Sequence, residues 1–200
     1  MPDTGAPFNI PFLDGTELVR AYPDFSEDLA DAVADGLSAA GGLVAVKSAI
    51  FTGIQTASVT AGNNVAVTDL TITHEVADPA NKLIISAFIG AASNAVAQVG
   101  NVGIAVHDGT GLIGVGNADG SRTQLSAGGR LSASPSALAV SNPSITFVHA
   151  PGAGSKTYTL RAINIRTGTS TIHINRSESD VNNADSPRSI SSLVIQEVKV

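Results

Sequence analysis

From residue 43 to the C-terminus, apolar and polar residues alternate with a period near two, and β-branched residues dominate. That is the pattern of half-buried strands. It predicts strands over 43–51, 55–60, 65–76, 82–90, 95–107, 112–115, 121–126, 137–140, 144–149, 156–166, 170–176 and 189–200. Turn-forming clusters separate them: Ala61-Gly-Asn-Asn64, Asp108-Gly-Thr-Gly111, Asn117-Ala-Asp-Gly120, Ala127-Gly-Gly129, Pro151-Gly-Ala-Gly154 and Thr167-Gly168. Short strands at this spacing predict a mainly β, antiparallel sandwich or jelly roll. The sequence has no internal repeat of roughly 20 to 50 residues, which argues against a propeller or solenoid.

One predicted strand is apolar on both sides. In Lys82-Leu-Ile-Ile-Ser-Ala-Phe-Ile-Gly90, alternation places Leu83, Ile85, Ala87 and Ile89 on one face and Ile84 and Phe88 on the other. A strand buried on one side only needs no such second set. Either a second sheet or a second subunit must cover Ile84 and Phe88, so both are candidate oligomer-interface residues.

Before residue 43 the period changes. Asp24-Phe-Ser-Glu27 fits a capping box, and Phe25, Leu29, Val33 and Leu37 recur every four residues among alanines, up to Gly41-Gly42. This predicts one short helix within 24–42. At roughly 16 residues, or about 24 Å, such a helix is marginal alone. Its narrow seam of Phe25, Leu29, Val33 and Leu37 calls for partners, and copies of itself are the simplest supply. In residues 1–23, prolines at 2, 7, 11 and 23 exclude a helix or central strand and predict an extended arm. Phe8, Ile10, Phe12, Leu13 and Leu18 make that arm too apolar for a solvated tail, and they are the candidate attachment residues. The domain organisation read from the sequence is thus an arm (1–23), an oligomerisation helix (24–42) and a β domain (43–200).

Charge follows the same division. Residues 1–40 carry eight acids against Arg20 alone, whereas 41–200 carry nine acids against ten bases, so the net charge of -6 is gathered at one end. With no basic patch, binding to nucleic acid is not expected. No cationic start leads into an apolar run, and no apolar stretch approaches 18 residues. Neither a signal peptide nor a membrane span is therefore expected. Only 4% of the 200 residues are aromatic and none is Trp, so the core must be aliphatic. Cysteine is absent, which removes disulfides and thiol chemistry.

Candidate chemistry is sparse. The four histidines, His74, His107, His149 and His173, show no metal-ligand spacing. His107 and His149 are expected at strand ends beside turns. There is no nucleophile elbow, Walker loop or dinucleotide fingerprint. The nearest acid pairs, Glu75 with Asp78 and Glu178 with Asp180, read as solvated loop charges rather than the matched carboxyls of a glycosidase. Oxygen-rich turns at 108–110, 117–119 and 180–185 lack the regular oxygen spacing of a calcium loop. Asn175-Arg-Ser177 has the form of a glycosylation sequon. The expectation is a protein without catalytic residues, metal or cofactor.

The stretch Ile10-Pro-Phe-Leu-Asp-Gly-Thr-Glu-Leu-Val-Arg-Ala-Tyr-Pro23, followed by Ser26-Glu-Asp-Leu-Ala-Asp-Ala-Val33, resembles the opening of small virion proteins of tailed bacteriophages. In these fibre-like and minor tail proteins a P-(Y/F)-L-x-G-T-(D/E) stretch precedes a short alanine-rich helix. The resemblance covers residues 8–40. Beyond it the chain is only generally similar to a virion β-sandwich, with Ser192-Leu-Val-Ile-Gln-Glu-Val-Lys-Val200 similar to a terminal strand. The resemblance implies a structural component of the virion, a homotrimer whose arms bind other phage virion proteins on the head or tail. A capsid decoration protein and a carbohydrate-binding module for a host surface glycan are the alternatives.

Overall fold

In the strand Lys82–Ile89, every second side chain is buried and the others are half-exposed. The C-terminal strand Ser191–Val198 shows the same alternation in the opposite phase. Period-two burial of this kind recurs through the computed structural model, which describes residues 42–94, 102–129 and 140–200. The arm, the helix seam and the candidate residues Phe8, Ile10, Phe12, Leu13, Leu18, Phe25, Leu29, Val33 and Leu37 lie outside the described residues.

Twelve strands occur among the described residues: β1 (Leu43–Phe51), β2 (Gln55–Val59), β3 (Asn64–Val76), β4 (Lys82–Ile89), β5 (Ser93–Asn94), β6 (Val102–His107), β7 (Leu112–Ile113), β8 (Ala127–Gly129), β9 (Ser144–His149), β10 (Gly154–Asn164), β11 (Ser170–Ile174) and β12 (Ser191–Val198). The protein is mainly β, and every strand pairing is antiparallel. A four-stranded sheet runs β1-β12-β4-β9, a second runs β3-β10-β6-β7 with β8 also on β6, and a third runs β2-β11-β5. In the two larger sheets the pairing is nested: β1 with β12, β3 with β10, β4 with β9 and β6 with β7.

The inner faces of all three sheets supply one aliphatic core, including Leu70, Leu83, Ile85, Ile89, Ile104, Leu160, Ile172, Ile174, Leu193 and Ile195. Strands β1 and β12 pack against β3, which joins the first sheet to the second. At roughly 1.5 to 3 kcal/mol for each fully buried large aliphatic side chain, this core is the main stabilising term.

Five segments differ from the sequence expectation. No strand forms over 121–126. Ala127-Gly-Gly129, expected as a turn, instead pairs with β6 through Gly103 and Gly128. A Cβ on Gly128 would lie 2.7 Å from the Gly103 backbone, so this close approach requires glycine there. At 112–115 only Leu112 and Ile113 are strand, and the described part of 137–140, Val140, is not. The strand β5 was not anticipated.

Asn175, directly after β11, ties the end of β1 to the start of β12. It has a left-handed φ of 63°. Its Nδ2 donates to the carbonyls of Phe51 (2.9 Å) and Gly53 (2.8 Å), and its Oδ1 accepts from the Ser191 hydroxyl at 2.6 Å. Asn tolerates this backbone region better than most residues, and here its amide also satisfies carbonyls that the strands leave free. Because Asn175 is fully buried, its sequon is inaccessible to a glycan.

Candidate interaction face

Residues opposed across antiparallel strands project to the same side, so the register fixes what each face of the first sheet presents. On its outer face three complete rungs run from β1 to β9: Val46-Gln196-Ile84-Val148, Ser48-Val194-Ser86-Thr146 and Ile50-Ser192-Phe88-Ser144. None of these twelve side chains is ionisable, and half are apolar. Lys47, the one charged residue of β1, projects from the other side and donates to the Thr73 carbonyl at 2.8 Å. Lys82 lies one rung beyond the uncharged area.

The described residues leave this face exposed. Val46 is 51%, Ile50 58% and Val148 67% accessible. Near its centre a shallow depression of about 290 Å³ is lined by Ser86, Phe88, Ser144, Thr146, Ser192 and Val194. The Ser86 and Thr146 hydroxyls bond each other at 3.0 Å across β4 and β9. The structure thus places Ile84 and Phe88 together on the outer face, while Leu83, Ile85, Ala87 and Ile89 are in the core.

The second sheet presents a different outer surface. There Thr71 pairs with Thr159 and Thr73 with Thr157, each hydroxyl to hydroxyl at 3.0 Å, with Glu75 exposed beside them. Threonine pairs bordered by charge are a solvent-facing solution. The two sheets therefore differ in kind on their outer sides.

Some buried polar side chains engage one another, while His74 Nδ1, Tyr158 Oη and His173 Nε2 are buried without a hydrogen-bond partner among the described residues. His74 on β3 and Asn81 after it both reach Glu197 of β12: His74 Nε2 lies 2.7 Å from Oε2, and Asn81 Nδ2 donates to Oε1 at 2.6 Å. All three are buried. His149 packs edge-on against Tyr158, with ring centroids 6.0 Å apart. Burial lowers the His149 pKa, and Lys156 adds to this while Asp108 opposes it. Burial, helped by Asp108, pushes the Tyr158 hydroxyl up to about 12. For Asp108, burial acts upward. The Thr110 hydroxyl, the amides of Thr110 and Gly111, and His149 together outweigh it and hold the carboxyl at about 2. His173 accepts or donates a bond with Thr56 at 3.2 Å; burial and then Arg176 lower its pKa, against Glu178 and Asp180.

Several acidic side chains are held by local partners. Asp108 Oδ1 is taken by its own turn, Asp119 pairs with Arg122, and Asp180 bridges Arg176 and Arg188. Among the described residues no three His, Asp or Glu side chains converge as a metal site. His107 and His149 stand half-buried at strand ends, as their positions beside turns imply, whereas His74 and His173 are buried. Sequence reasoning missed the His74-Glu197-Asn81 cluster. The available signal was phase: His74 alternates with Ile72 and Val76, and Glu197 with Leu193 and Ile195, on inward positions. Neither a protein-family model nor a curated protein matches this chain.

Proposed function

We propose that this protein is a non-enzymatic structural component of a tailed-phage virion. It is a homotrimeric fibre, tail or head appendage, with a jelly-roll sandwich as its β domain and residues 1–23 as its anchor to other virion proteins. The observation that carries the reading is the uncharged outer face of the β1-β12-β4-β9 sheet, with six apolar side chains in three rungs. Depletion of charge together with an aromatic residue is the composition of the covered centre of a protein interface. The nested pairing of the two larger sheets supports the jelly roll, because it is what a long antiparallel hairpin yields when rolled up.

The resemblance of residues 8–40 to virion proteins supplies the context. Phe8, Ile10, Phe12 and Leu13 would each contribute roughly 1.5 to 3 kcal/mol when buried in a platform, offset by the cost of ordering the arm. Three linked arms multiply that binding through effective concentration. A capsid decoration protein is the same reading at another place on the particle. A second reading, a carbohydrate-binding host-recognition module, draws on Phe88, whose ring lies among hydroxyl side chains in the depression.

Antibody labelling of intact particles is the direct test. Label at one place on the head, collar or tail is the expected result, and label confined to unassembled protein overturns the proposal. Deleting residues 1–23 should leave a folded β domain with a nearly unchanged Tm and abolish incorporation into particles lacking the native protein. Incorporation of the truncated chain would remove the arm from its role.

A further inference from the structure

Two Asp-Gly pairs stand in turns among the described residues, Asp108-Gly109 and Asp119-Gly120. We propose that the fold leaves Asp119 a site of spontaneous isoaspartate formation and protects Asp108 from the same reaction. This goes beyond the reading above and does not depend on it. The sequence treats the two pairs alike, because a glycine after an aspartate has no side chain to hinder its nitrogen from reaching the carboxyl. Both glycines also share the left-handed region, with φ of 95° at Gly109 and 56° at Gly120. What separates them is where their hydrogen bonds go.

At Asp108 both reacting groups are engaged. Its Oδ1 accepts from the Thr110 amide at 2.9 Å, the Thr110 hydroxyl at 2.7 Å and the Gly111 amide at 3.0 Å. The nitrogen that would attack, that of Gly109, donates to His107 Nδ1 at 3.0 Å. The same bonds, with His149, hold the carboxyl at about 2, so at mildly acid pH it stays ionised and resists attack.

At Asp119 neither group is held in this way. Its side chain is 66% exposed and pairs with Arg122, which is more exposed still. Water and salt compete readily with such a surface pair. The Gly120 amide makes no hydrogen bond among the described residues. A Cβ built on Gly120 would meet nothing within 4 Å, so a ring closing at its nitrogen has room.

The reaction needs no reagent but water. The Gly120 nitrogen gives up its proton and bonds to Cγ of the protonated Asp119 carboxyl, whose hydroxyl leaves as water. Water then opens the five-membered imide. Breaking the bond from nitrogen to Cγ restores aspartate, whereas breaking the bond to the main-chain carbonyl routes the backbone through the side chain. The product has the mass of the parent and one more carbon in its backbone. It disturbs the turn in which the Arg122 amide donates to the Asp119 carbonyl at 3.1 Å. The bond from the Gly116 amide to the Leu125 carbonyl, at 3.3 Å, confines the change to a loop between β7 and β8.

The test follows the full-length protein through prolonged warm incubation at mildly acid pH, natively folded and in concentrated urea. A protease that cuts before aspartate but not before isoaspartate reads each position. In the folded protein the cut before residue 119 is expected to fade while that before residue 108 persists. In urea both cuts should fade at similar rates. The tryptic fragment 83–122 of the aged folded protein should accept a methyl group from an isoaspartyl methyltransferase. Asp119→Glu keeps the charge but would need a six-membered ring, and it should abolish that acceptance. Persistence of the cut before residue 119 in the folded protein overturns the proposal, as does equal loss before residue 108. Residue 119 still far outpacing residue 108 in urea would also overturn it, because neighbouring sequence rather than the fold would then decide.

Discussion

His74 Nε2 and Glu197 Oε2 lie 2.7 Å apart across the core, a bond between two sheets in which only 2% of either side chain is exposed. Asn81 occupies the other carboxylate oxygen, so both Glu197 oxygens are used. Burying such a cluster is costly, and breaking it is costlier, because the remaining polar atoms have no water to turn to.

Glu197→Leu is therefore expected to destabilise the β domain by about 3–5 kcal/mol, since it strands His74 and Asn81 without an acceptor. Replacing His74 and Glu197 together by leucine should recover a large part of that loss. Urea denaturation of the two variants and the parent at one pH makes the comparison. Equal losses in single and double variants would show that the pair is not the coupled unit.

Asn175 separates backbone from side-chain effects. Asn175→Gly keeps the left-handed conformation but leaves the Phe51 and Gly53 carbonyls and the Ser191 hydroxyl without their partner. Asn175→Ala loses the same bonds and adds a conformational penalty of about 1–2 kcal/mol. Thermal melts should therefore rank the parent above Gly, and Gly above Ala.

Stability should rise with pH from acid toward neutrality. His149 and His173 have folded pKa values below their ordinary 6.5, and Asp108 is at about 2 against an ordinary 3.8. In each case the unfolded chain binds protons more readily than the folded one, so acidification favours unfolding. The histidine contribution is complete above pH 6.5 and is lost as the pH falls through their lower folded values. The Asp108 contribution is complete above 3.8 and is lost toward 2. In His149→Gln the rise in Tm approaching pH 6.5 should be shallower than in the parent; an identical slope would remove His149 from this account.

A charge in the uncharged face should act on assembly and spare the fold. Ser86→Asp puts a carboxylate beside Phe88 and Thr146, where the isolated domain is open to water but an assembled one is not. The expected outcome is a chain with an unchanged far-ultraviolet spectrum that sediments as a smaller species than the parent. Unchanged sedimentation would place this face outside any contact.

The strands were legible where alternation is local. Ile84 and Phe88 sit opposite Leu83, Ile85, Ala87 and Ile89 as period two requires, because a strand's two faces are set by neighbouring residues alone. Ala127-Gly-Gly129 misled because glycine signals a turn, while here it permits Gly103 and Gly128 to approach. The His74-Glu197 bond joins residues 123 positions apart, and nothing in either neighbourhood names the other. Likewise the four strands that build the uncharged face come from positions 43 to 198, so its rungs are a product of topology. The phase of the longer strands was readable, but the order of strands was not.

The nested pairing also orders the life of the chain. β1 is the first strand of the domain to leave the ribosome, yet its ladder partner β12 is the last, with Leu43 opposite Val198. Contacts this distant in sequence close the largest loops and slow folding. Since β12 lies between β1 and β4, a polypeptide released before residue 191 lacks the strand that unites the sheet. Synthesis through β12 thus becomes a condition for closing the first sheet.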